Sequence, residues 1–346
     1  MNKKKVLVVF GSMSSEHEIS CLSAYNIVVN LDNKKYRVDK IGIDKNGVWF
    51  RYKGNNAHLK DNTWLNDNEN KDKVYDLIAE LKKYDVVFPV LHGKYGEDGT
   101  IQGLFELAQV KYVGCNVLAS SIGMDKAICK KIVSLEDILI VDYIEVNKFD
   151  LKNILTSKRK LESLDNEIKF RLNYPVIIKP NSEGSSYGIV KVDANDKLLE
   201  SLKFAFRYDD KILIEKYVDN RQEIECAVIQ DEDKVYASTP GEISSANEIY
   251  DYDAKYKNND SSIIIPAQIS DDMIETVRQI STKIFKLLNF SGLARIDFFL
   301  SNGQLYFNEV NTLPGFTNIS MYPQMLMHDK IEYSQILDIL INTAIE

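Results

Sequence analysis

The sequence has few of the residues on which disulfide-bonded and zinc-binding proteins depend. Its 346 residues include four cysteines and four histidines, and both types are scattered along the chain. No Cys-x-x-Cys pair occurs, and no cysteine or histidine spacing matches a zinc site. We therefore expect reduced thiols, with neither a disulfide framework nor a cysteine–histidine metal centre.

Long apolar runs and an excess of positive charge are also missing. Three lysines precede the first apolar run, residues 6–10, which is too short for the core of a signal peptide. No segment approaches the roughly 18 apolar residues of a membrane-spanning helix. The net charge of −8 lacks the basic surplus typical of nucleic-acid-binding proteins. We expect a cytoplasmic protein with neither a membrane nor a nucleic acid as its partner.

The composition that is present is that of a globular protein with more than one core. Hydrophobic residues make up 45% of the chain and charged residues 27%. The length suits two or three domains. Strand patterns alternate with helix patterns in the first third of the chain, which predicts an α/β layer with a parallel sheet. The predicted strands there are 6–10, 37–43 and 86–91, and the predicted helices are 19–31 and 100–108.

The rest of the chain divides into two further segments, so the expected domains are 1–121, 122–217 and 218–346. Residues 147–172 are polar and predict a surface helix or insertion. Residues 240–262 lack periodicity, and so long a loop in a compact protein is often functional. The remaining predicted strands are 174–178, 212–217, 223–229, 293–300 and 305–310, and the remaining predicted helices are 273–288 and 332–345.

Two C-terminal strands carry side chains suited to a divalent cation. Alternation places Arg295 and Asp297 on one face of their strand, and Glu309 and Asn311 on one face of the next. Aspartate, glutamate and asparagine supply the oxygen ligands that Mg²⁺ takes when it also binds nucleotide phosphates. Ordinary charges on exposed strand faces are the structural alternative, which the joint occurrence of all four residues on adjacent strands disfavours.

Glycine-containing turns follow several predicted strands. Pro314 and Gly315 predict a tight turn whose amides can face an oxyanion, although a purely structural turn would look the same. Lys179 precedes a Gly/Ser loop, residues 181–188, whose amides can approach phosphates. By itself this is a weak signal, and neither a P-loop nor a Rossmann glycine motif occurs in the chain. His92 lies among closely spaced glycines at a strand end, where α/β proteins bind ligands.

Together these motifs resemble the D-alanine–D-alanine ligase family of the ATP-grasp superfamily. The resemblance runs in order from Gly11 to Pro323, and each motif is modest by itself whereas their joint order is specific. Ser12 departs from the family pattern, which commonly has a second glycine there. The motifs are Ser14-Ser15-Glu16-His17-Glu18-Ile19-Ser20, residues 92–103, Met124-Asp125-Lys126, residues 179–188, Tyr250-Asp251-Tyr252-Asp253-Ala254-Lys255-Tyr256, Ala294-Arg295-Ile296-Asp297 and Asn308-Glu309-Val310-Asn311-Thr312.

The resemblance implies an ATP-grasp fold in which an N-terminal α/β domain precedes two subdomains that clamp ATP. It also implies a reaction. The carboxylate of a first D-alanine attacks the γ-phosphate of ATP, and the amine of a second D-alanine attacks the resulting acyl phosphate, which gives a dipeptide for peptidoglycan and the bacterial cell wall. Two Mg²⁺ ions, or Mn²⁺, and a homodimer are further expectations.

The resemblance also implies roles for individual residues. Glu16 would hold the ammonium of the first substrate, and Ser185 and Tyr256 would link to Glu16. His92 would lie near the reacting carboxylate, while Arg295 and the Gly315 amide would stabilise the oxyanion. Ser320 and the Met321 amide would bind the carboxylate of the second substrate. ATP would contact Lys126, Lys179, Glu215, Lys216, Val218, Glu223 and Lys255. The metal ligands would be Asp297, Glu309 and Asn311.

Three other functions compete with this interpretation. A resistance-type ligase would use D-serine or D-lactate as the acceptor, but it should alter the loop position held here by Tyr256. A regulatory module without turnover should have lost Arg295 or a metal ligand. An ATP-grasp carboxylase should have a biotin or bicarbonate site, and the sequence offers none.

Overall fold

The computed structural model describes residues 3–184, 187–245 and 261–346. Its first sheet contains five strands and confirms the predicted α/β layer. The strands are β1 Lys4–Gly11, β2 Tyr36–Ile43, β3 Trp49–Tyr52, β4 Lys71–Lys73 and β5 Val86–Val90. Their order is β4-β3-β2-β1-β5, and β1 pairs in parallel with both β2 and β5. The helices of this part are α1 His17–Asn30, α2 Ala57–Lys60, α3 Leu77–Leu81 and α4 Thr100–Ala108.

The first sheet is covered on both faces, which explains its continuous apolar strands. Val6, Val8 and Phe10 of β1 face one core, and the alternate residues Leu7 and Val9 face another. The first core is completed by C-terminal helices, α11 Met321–His328 and α12 Tyr333–Ile345. The end of the chain therefore packs against its beginning.

The second sheet is antiparallel and has the strand order β6-β9-β7-β8. Helices α7 and α8 cover it by burying apolar residues such as Leu151, Ile154, Leu164 and Ile168. The predicted polar insertion is thus a pair of amphipathic helices with one buried side each. The bounds are β6 Tyr143–Asn147, β7 Val176–Pro180, β8 Val190–Val192, β9 Lys211–Lys216, α7 Lys148–Thr156, α8 Lys158–Arg171 and α9 Leu198–Ala205.

The third sheet is also antiparallel, with the order β13-β12-β10-β14-β15 and with β11 paired to β10. Helices α5, α6 and α10 pack against it in one apolar cluster. The predicted loop 240–262 begins and ends in strands β12 and β13, and its residues 246–260 lie outside the described ranges. The bounds are β10 Gln222–Asp231, β11 Lys234–Ala237, β12 Gly241–Ser245, β13 Ser261–Ile264, β14 Leu293–Ser301, β15 Gln304–Asn311, α5 Val117–Met124, α6 Lys126–Ser134 and α10 Asp271–Leu287.

The cysteines and the helices bear on the expectations about disulfides and membrane spans. All four cysteines are buried and unbridged, as the sequence predicted. In the described ranges, no helix combines the length and the apolar composition needed to cross a bilayer.

The packing of the first sheet generates a test with two glycines. A Cβ added at Gly42 would come within 2.5 Å of the Trp64 ring and 2.7 Å of the Phe10 ring, and both rings are fully buried. We expect Gly42→Ala to destabilise the fold by ~1–3 kcal/mol through overpacking. The matched Gly103→Ala variant lies in α4 with nothing within 4 Å, and should stabilise by about 0.5–1 kcal/mol. Thermal unfolding midpoints of both variants check this, and equal shifts would contradict it.

Candidate functional site

A cleft with apolar walls and a charged end lies between the second and third sheets. Its apolar lining comes from both sheets and includes Ile177, Val218, Phe298 and Phe299. The charged groups that line it include Lys126, Lys179, Glu215, Glu223, Arg295, Asp297 and Glu309. Nine of the sequence-predicted residues therefore share one cleft, because Lys216 and Val218 line it as well.

Lys126 enters the charged end from the first turn of α6. Asp125 separates α5 from α6, and its side chain caps α6 by accepting from the backbone N–H of Ile128 at 2.9 Å. The Lys126 Nζ donates to the Glu183 carbonyl at 2.8 Å and lies 3.2 Å from Glu309 Oε2. Burial alone would lower the pKa of Lys126, but the attraction of Glu309 outweighs it and raises that pKa. Lys126 is therefore charged.

Glu215, near the end of β9, joins two buried lysines: Lys179 near the end of the neighbouring strand β7, and Lys130 on helix α6. Its Oε2 lies 2.9 Å from Lys179 Nζ, and its Oε1 lies 3.1 Å from Lys130 Nζ. The contact with Lys130 is an ion pair whose geometry does not meet the criteria for a hydrogen bond. Burial raises the pKa of the Glu215 carboxyl, but both lysines lower it and prevail. Lys179 also donates to Asn308 Oδ1 at 3.1 Å, so the second sheet is tied to the third.

Strands β14 and β15 bring the three predicted metal ligands together. Asp297 lies directly opposite Glu309, and Arg295 lies opposite Asn311. Opposed residues of antiparallel strands have Cβ atoms ~4.5–5.5 Å apart, and the Asn311 Nδ2 donates to Asp297 Oδ2 at 3.0 Å. The register shifts between Asp297 and Phe298, which leaves Asn308 as an extra residue on β15. This bulge explains how adjacent residues Asn308 and Glu309 both reach lysines.

Arg295 is held by carboxylates on two strands. Its Nε and Nη2 donate to the two oxygens of Asp297 at 2.8 and 2.7 Å, and its Nε lies 3.0 Å from Glu225 Oε2. Burial lowers the pKa of Arg295, but Asp297 and Glu225 raise it far more. The guanidinium is therefore a fixed positive charge beside the candidate metal ligands.

Glu309 is a strongly perturbed carboxylate at this end of the cleft. Burial raises its pKa, but Lys126 and Lys179 lower it further than burial raises it, and the result is about 2. Glu309 is ionised throughout the physiological range. All side chains that β14 and β15 offer for a cation carry oxygen donors, which suits Mg²⁺ or Mn²⁺. Within the described ranges, no three acidic, histidine or cysteine side chains form a group that could hold a metal ion. The predicted ligand set differs from such a group because it consists of two carboxylates and an amide.

The turn that contains Gly315 lies between the first and third sheets. His92 Nδ1 lies 2.8 Å from the Leu313 carbonyl, and His92 Nε2 lies 3.2 Å from Ser23 Oγ on α1. Ser320 Oγ would lie 2.8 Å from a Cβ added at Gly315, so these two predicted residues are neighbours. Ser320 also accepts from the Thr317 N–H at 2.9 Å and precedes Met321, the first residue of α11. The structure thus groups His92, Gly315, Ser320 and Met321.

Glu16 lies between two glycine loops. A Cβ added at Gly93 would come within 2.6 Å of Glu16 Oε2, and one added at Gly184 would lie 3.4 Å from the same oxygen. The loop before Glu16 is strained, because the buried Ser12 has a φ of 114°, where glycine fits better. A glycine at this position would adopt the same backbone conformation without strain. Ser185, Tyr256 and Lys255 lie outside the described residues.

Glu97 is a further buried carboxyl next to this group. Its Oε1 accepts from the Gly93 N–H at 3.0 Å, and the backbone of Leu313 also donates to it. Burial and the nearby Glu16 raise the pKa of Glu97 to about 8, although the two backbone bonds and Arg295 lower it. The Glu97 carboxyl therefore interacts electrostatically with both Glu16 and Arg295.

Sequence reasoning did not single out several residues that the structure places here. Lys130, Glu225, Asn308 and Ser23 each contact a predicted site residue, and Glu97 interacts electrostatically with Glu16. Two of them carried a usable signal. Lys130 is one helical turn after Lys126, and Glu225 shares a strand face with Glu223. Nothing local distinguishes Ser23, whose partners are far away in the sequence.

Known proteins match this chain over its whole length. The family model described as D-ala D-ala ligase N-terminus matches residues 5–115, and the one described as D-ala D-ala ligase C-terminus matches residues 132–342. A D-alanine–D-alanine ligase from Acetivibrio thermocellus is 43% identical over 100% of this chain and 96% of its own. One from Caldicellulosiruptor bescii is 45% identical with the same coverage.

Solved structures agree with these relatives. The VanG D-Ala:D-Ser ligase from Enterococcus faecalis superposes with a TM-score of 0.88 at 36% identity, over 99% of this chain and 100% of that one. The D-alanine–D-alanine ligase from Coxiella burnetii gives 0.85 at 31% identity, over 100% of this chain and 94% of that one. The fold is accordingly the ATP-grasp fold of these ligases, and ATP with a divalent metal belongs to such enzymes. By family models, full-length identity and architecture, this chain is an enzyme of the D-alanine–D-alanine ligase family.

Proposed function

We propose that this protein uses ATP to join two D-alanines through a D-alanyl phosphate, and so supplies D-alanyl-D-alanine for peptidoglycan. One observation carries the proposal. Asp297 and Glu309 lie opposite each other at the charged end of a cleft, and Lys126 and Lys179 face them. This arrangement suits a nucleotide whose terminal phosphates are bound by lysines and a cation.

The apolar part of the cleft would hold the adenosine. Side chains such as Ile177, Val218 and Phe298 offer surfaces on which a purine ring can pack. We assign Glu215, Lys216 and Val218 to the adenine and Glu223 to the ribose. Glu223 lies 3.3 Å from Arg221 Nε, and burial raises the pKa of its carboxyl. Lys126 and Lys179 would meet the phosphates, because both are charged groups at the far end of the same cleft.

The metal ligands would be Asp297, Glu309 and Asn311. The oxygen donors of these residues fit Mg²⁺, or Mn²⁺ in its place, and two ions would be shared with the phosphates. The bound metal would neutralise the negative charge that develops on the transferred phosphoryl group. Arg295 keeps Asp297 in position through two hydrogen bonds. The ionised Glu309 needs no deprotonation before it binds a cation.

The amino-acid substrates would lie at the end of the site near Glu16. The Glu16 carboxylate would bind the ammonium of the first D-alanine, and His92 would lie near its carboxylate. Arg295 and the Gly315 amide would donate to the oxyanion formed when the second amine attacks. Ser320 and the Met321 amide would bind the carboxylate of that second substrate. Ser185 and Tyr256 would bond to Glu16, and Lys255 would add charge near the γ-phosphate.

A resistance-type activity is the alternative, in which D-serine or D-lactate replaces the second D-alanine. The observation in its favour is the likeness to the VanG enzyme, whose acceptor is D-serine by its description. Tyr256 stands within the intact loop motif and favours D-alanine.

We also propose domain limits at 1–121, 122–217 and 218–346, a cytoplasmic location and a homodimer. Light scattering at a known protein concentration measures the molar mass and so tests the homodimer.

The proposed function predicts a specific pattern of substrate use. In a coupled assay of ADP release, ATP turnover should require D-alanine and should stay at background with L-alanine. Mass spectrometry of the product should show D-alanyl-D-alanine. Mixtures of D-alanine with D-serine or D-lactate test the alternative, since a mixed dipeptide or a depsipeptide as the main product would replace the proposal. No product with any acceptor would refute both.

Glu309→Gln tests the metal assignment. The substitution removes the charge that would bind the cation and leaves Lys126 without its carboxylate partner. We expect turnover to fall to the background of the assay. Magnesium with ATP should raise the unfolding midpoint of the natural protein much more than that of the variant, relative to ATP with a chelator. The control is Glu145→Gln. Glu145 lies on β6 and is paired with Lys131 in a more exposed ion pair, so this variant should remain active. Retained turnover in Glu309→Gln would refute the assignment.

Glu97 predicts a pH dependence of stability. Its folded pKa of about 8 lies above the ordinary value of 4.5, so folding keeps a proton that the unfolded chain releases. The stabilising contribution is thus complete below pH 4.5 and is lost as the pH rises to about 8. Glu97→Gln cannot titrate. The unfolding midpoint of the natural protein minus that of the variant should fall across this window, whereas a constant difference would contradict the raised pKa.

A further inference from the structure

Ser23 joins helix α1 to the backbone turn that contains Gly315. The side chain is fully buried, and its Oγ lies 3.2 Å from the Phe316 N and 3.2 Å from His92 Nε2. The first of these contacts spans 293 residues of sequence. We propose that Ser23 is a positioning residue of the ligation reaction, which acts by fixing the direction of the Gly315 amide. This inference rests on the oxyanion role proposed above for that amide.

The donors and acceptors at Ser23 fit one consistent pattern. The Leu313 carbonyl can only accept, so His92 carries its proton on Nδ1, which lies 2.8 Å away. The Phe316 N–H can only donate, and it donates to Ser23 Oγ. The Ser23 Oγ also lies 3.2 Å from His92 Nε2, which is within hydrogen-bond distance. This relay of contacts links the Phe316 N–H through Ser23 and the His92 ring to the Leu313 carbonyl.

The relay holds the peptide groups on both sides of the Gly315 amide. The carbonyl of Leu313, which begins the Leu313–Pro314 peptide, is bound by His92. The N–H of Phe316, which belongs to the Gly315–Phe316 peptide, is bound by Ser23. The Gly315 N–H belongs to the peptide between these two anchors, and Pro314 fixes one of the few torsions that remain. Loss of the Ser23 anchor frees the glycine side of this peptide.

Phe316 is held in the other directions by contacts that do not involve Ser23. Its carbonyl accepts from the Tyr333 hydroxyl at 2.7 Å, and its ring packs edge-on against Phe88 and at a tilt against Tyr322. The loss of the Ser23 hydroxyl should therefore leave the turn folded. What changes is the orientation of the Gly315–Phe316 peptide and of the amide before it.

Glu16, the group proposed to bind the ammonium of the first substrate, is the residue immediately before helix α1. Ser23 follows seven residues later, which is two turns and roughly 10 Å along a helix. One rigid element thus carries the group that would place the substrate and the group that places the amide. The distance between substrate and donor is set by α1, and a misplaced group costs up to ~10²-fold in rate.

Ser20 provides a matched control on the same helix. It is as fully buried as Ser23, but its hydroxyl accepts from the Gly11 N–H at 2.7 Å and donates to the Val90 carbonyl. These bonds stay within the first sheet and its loops. Ser20→Ala and Ser23→Ala each leave a buried backbone N–H without its acceptor, so comparable losses of thermal stability are expected.

The experiment compares Ser23→Ala, Ser20→Ala and the natural enzyme in steady-state and rapid-quench assays with ATP and D-alanine. Ser23→Ala should lower kcat by ~10- to 100-fold, less than the direct loss of an oxyanion donor, while KM for ATP changes little. In the first turnover, ADP should still form rapidly and dipeptide slowly, because the amide acts after phosphoryl transfer. Ser23→Thr restores the hydroxyl and should recover part of kcat.

Three outcomes separate the possibilities. If Ser23→Ala matches Ser20→Ala in kcat, or if ADP and dipeptide formation slow together, Ser23 is merely structural and the inference is wrong. If Ser23→Thr recovers stability without kcat, the hydroxyl does not act through the amide and the inference is also overturned. If the natural enzyme forms no dipeptide, the proposed function itself has failed, which is a different result.

Discussion

Three lysines are buried at one end of the cleft, and the rest of the site depends on how their charges are balanced. Lys130 and Lys179 share Glu215, and Lys126 is paired with Glu309. An unpaired charge in such a position would be costly because burial removes its hydration. The carboxylates therefore have to stand where they do before any nucleotide arrives. The fold holds a preformed set of charges of the kind that triphosphates and divalent cations require.

These charges come from elements that meet only in the folded protein. Lys126 begins α6, which packs on the third sheet, whereas Lys179 and Glu215 end neighbouring strands of the second sheet. The bulge at Asn308 lets β15 present a lysine acceptor and Glu309 next to each other. Each sheet thus supplies one part of the cleft. At the charged end of the cleft, ionic groups of the second and third sheets contact each other. At the apolar end, the lining residues continue the cores of these two sheets.

The substrate end depends on a different junction, between the start and the end of the chain. The C-terminal helices complete the core of the first sheet, and the turn around Gly315 is clamped there by His92 and Ser23. Buried hydrogen-bond networks of this kind help to rigidify and specify one arrangement. Near this junction, burial and the charge of Glu16 raise the pKa of Glu97.

The sequence by itself determined eight of the strands and four of the helices. It also determined the faces on which Asp297 and Glu309 lie, because side chains alternate with period two along a strand and a short turn joins these two strands. It also determined the family, through the order of the motifs. Only the tertiary structure decided that Lys130 balances Glu215 and that Ser23 binds Phe316. Those contacts join residues remote in sequence, and a single serine or lysine on a helix carries no local sign of its partner, since packing rather than periodicity brings the two together.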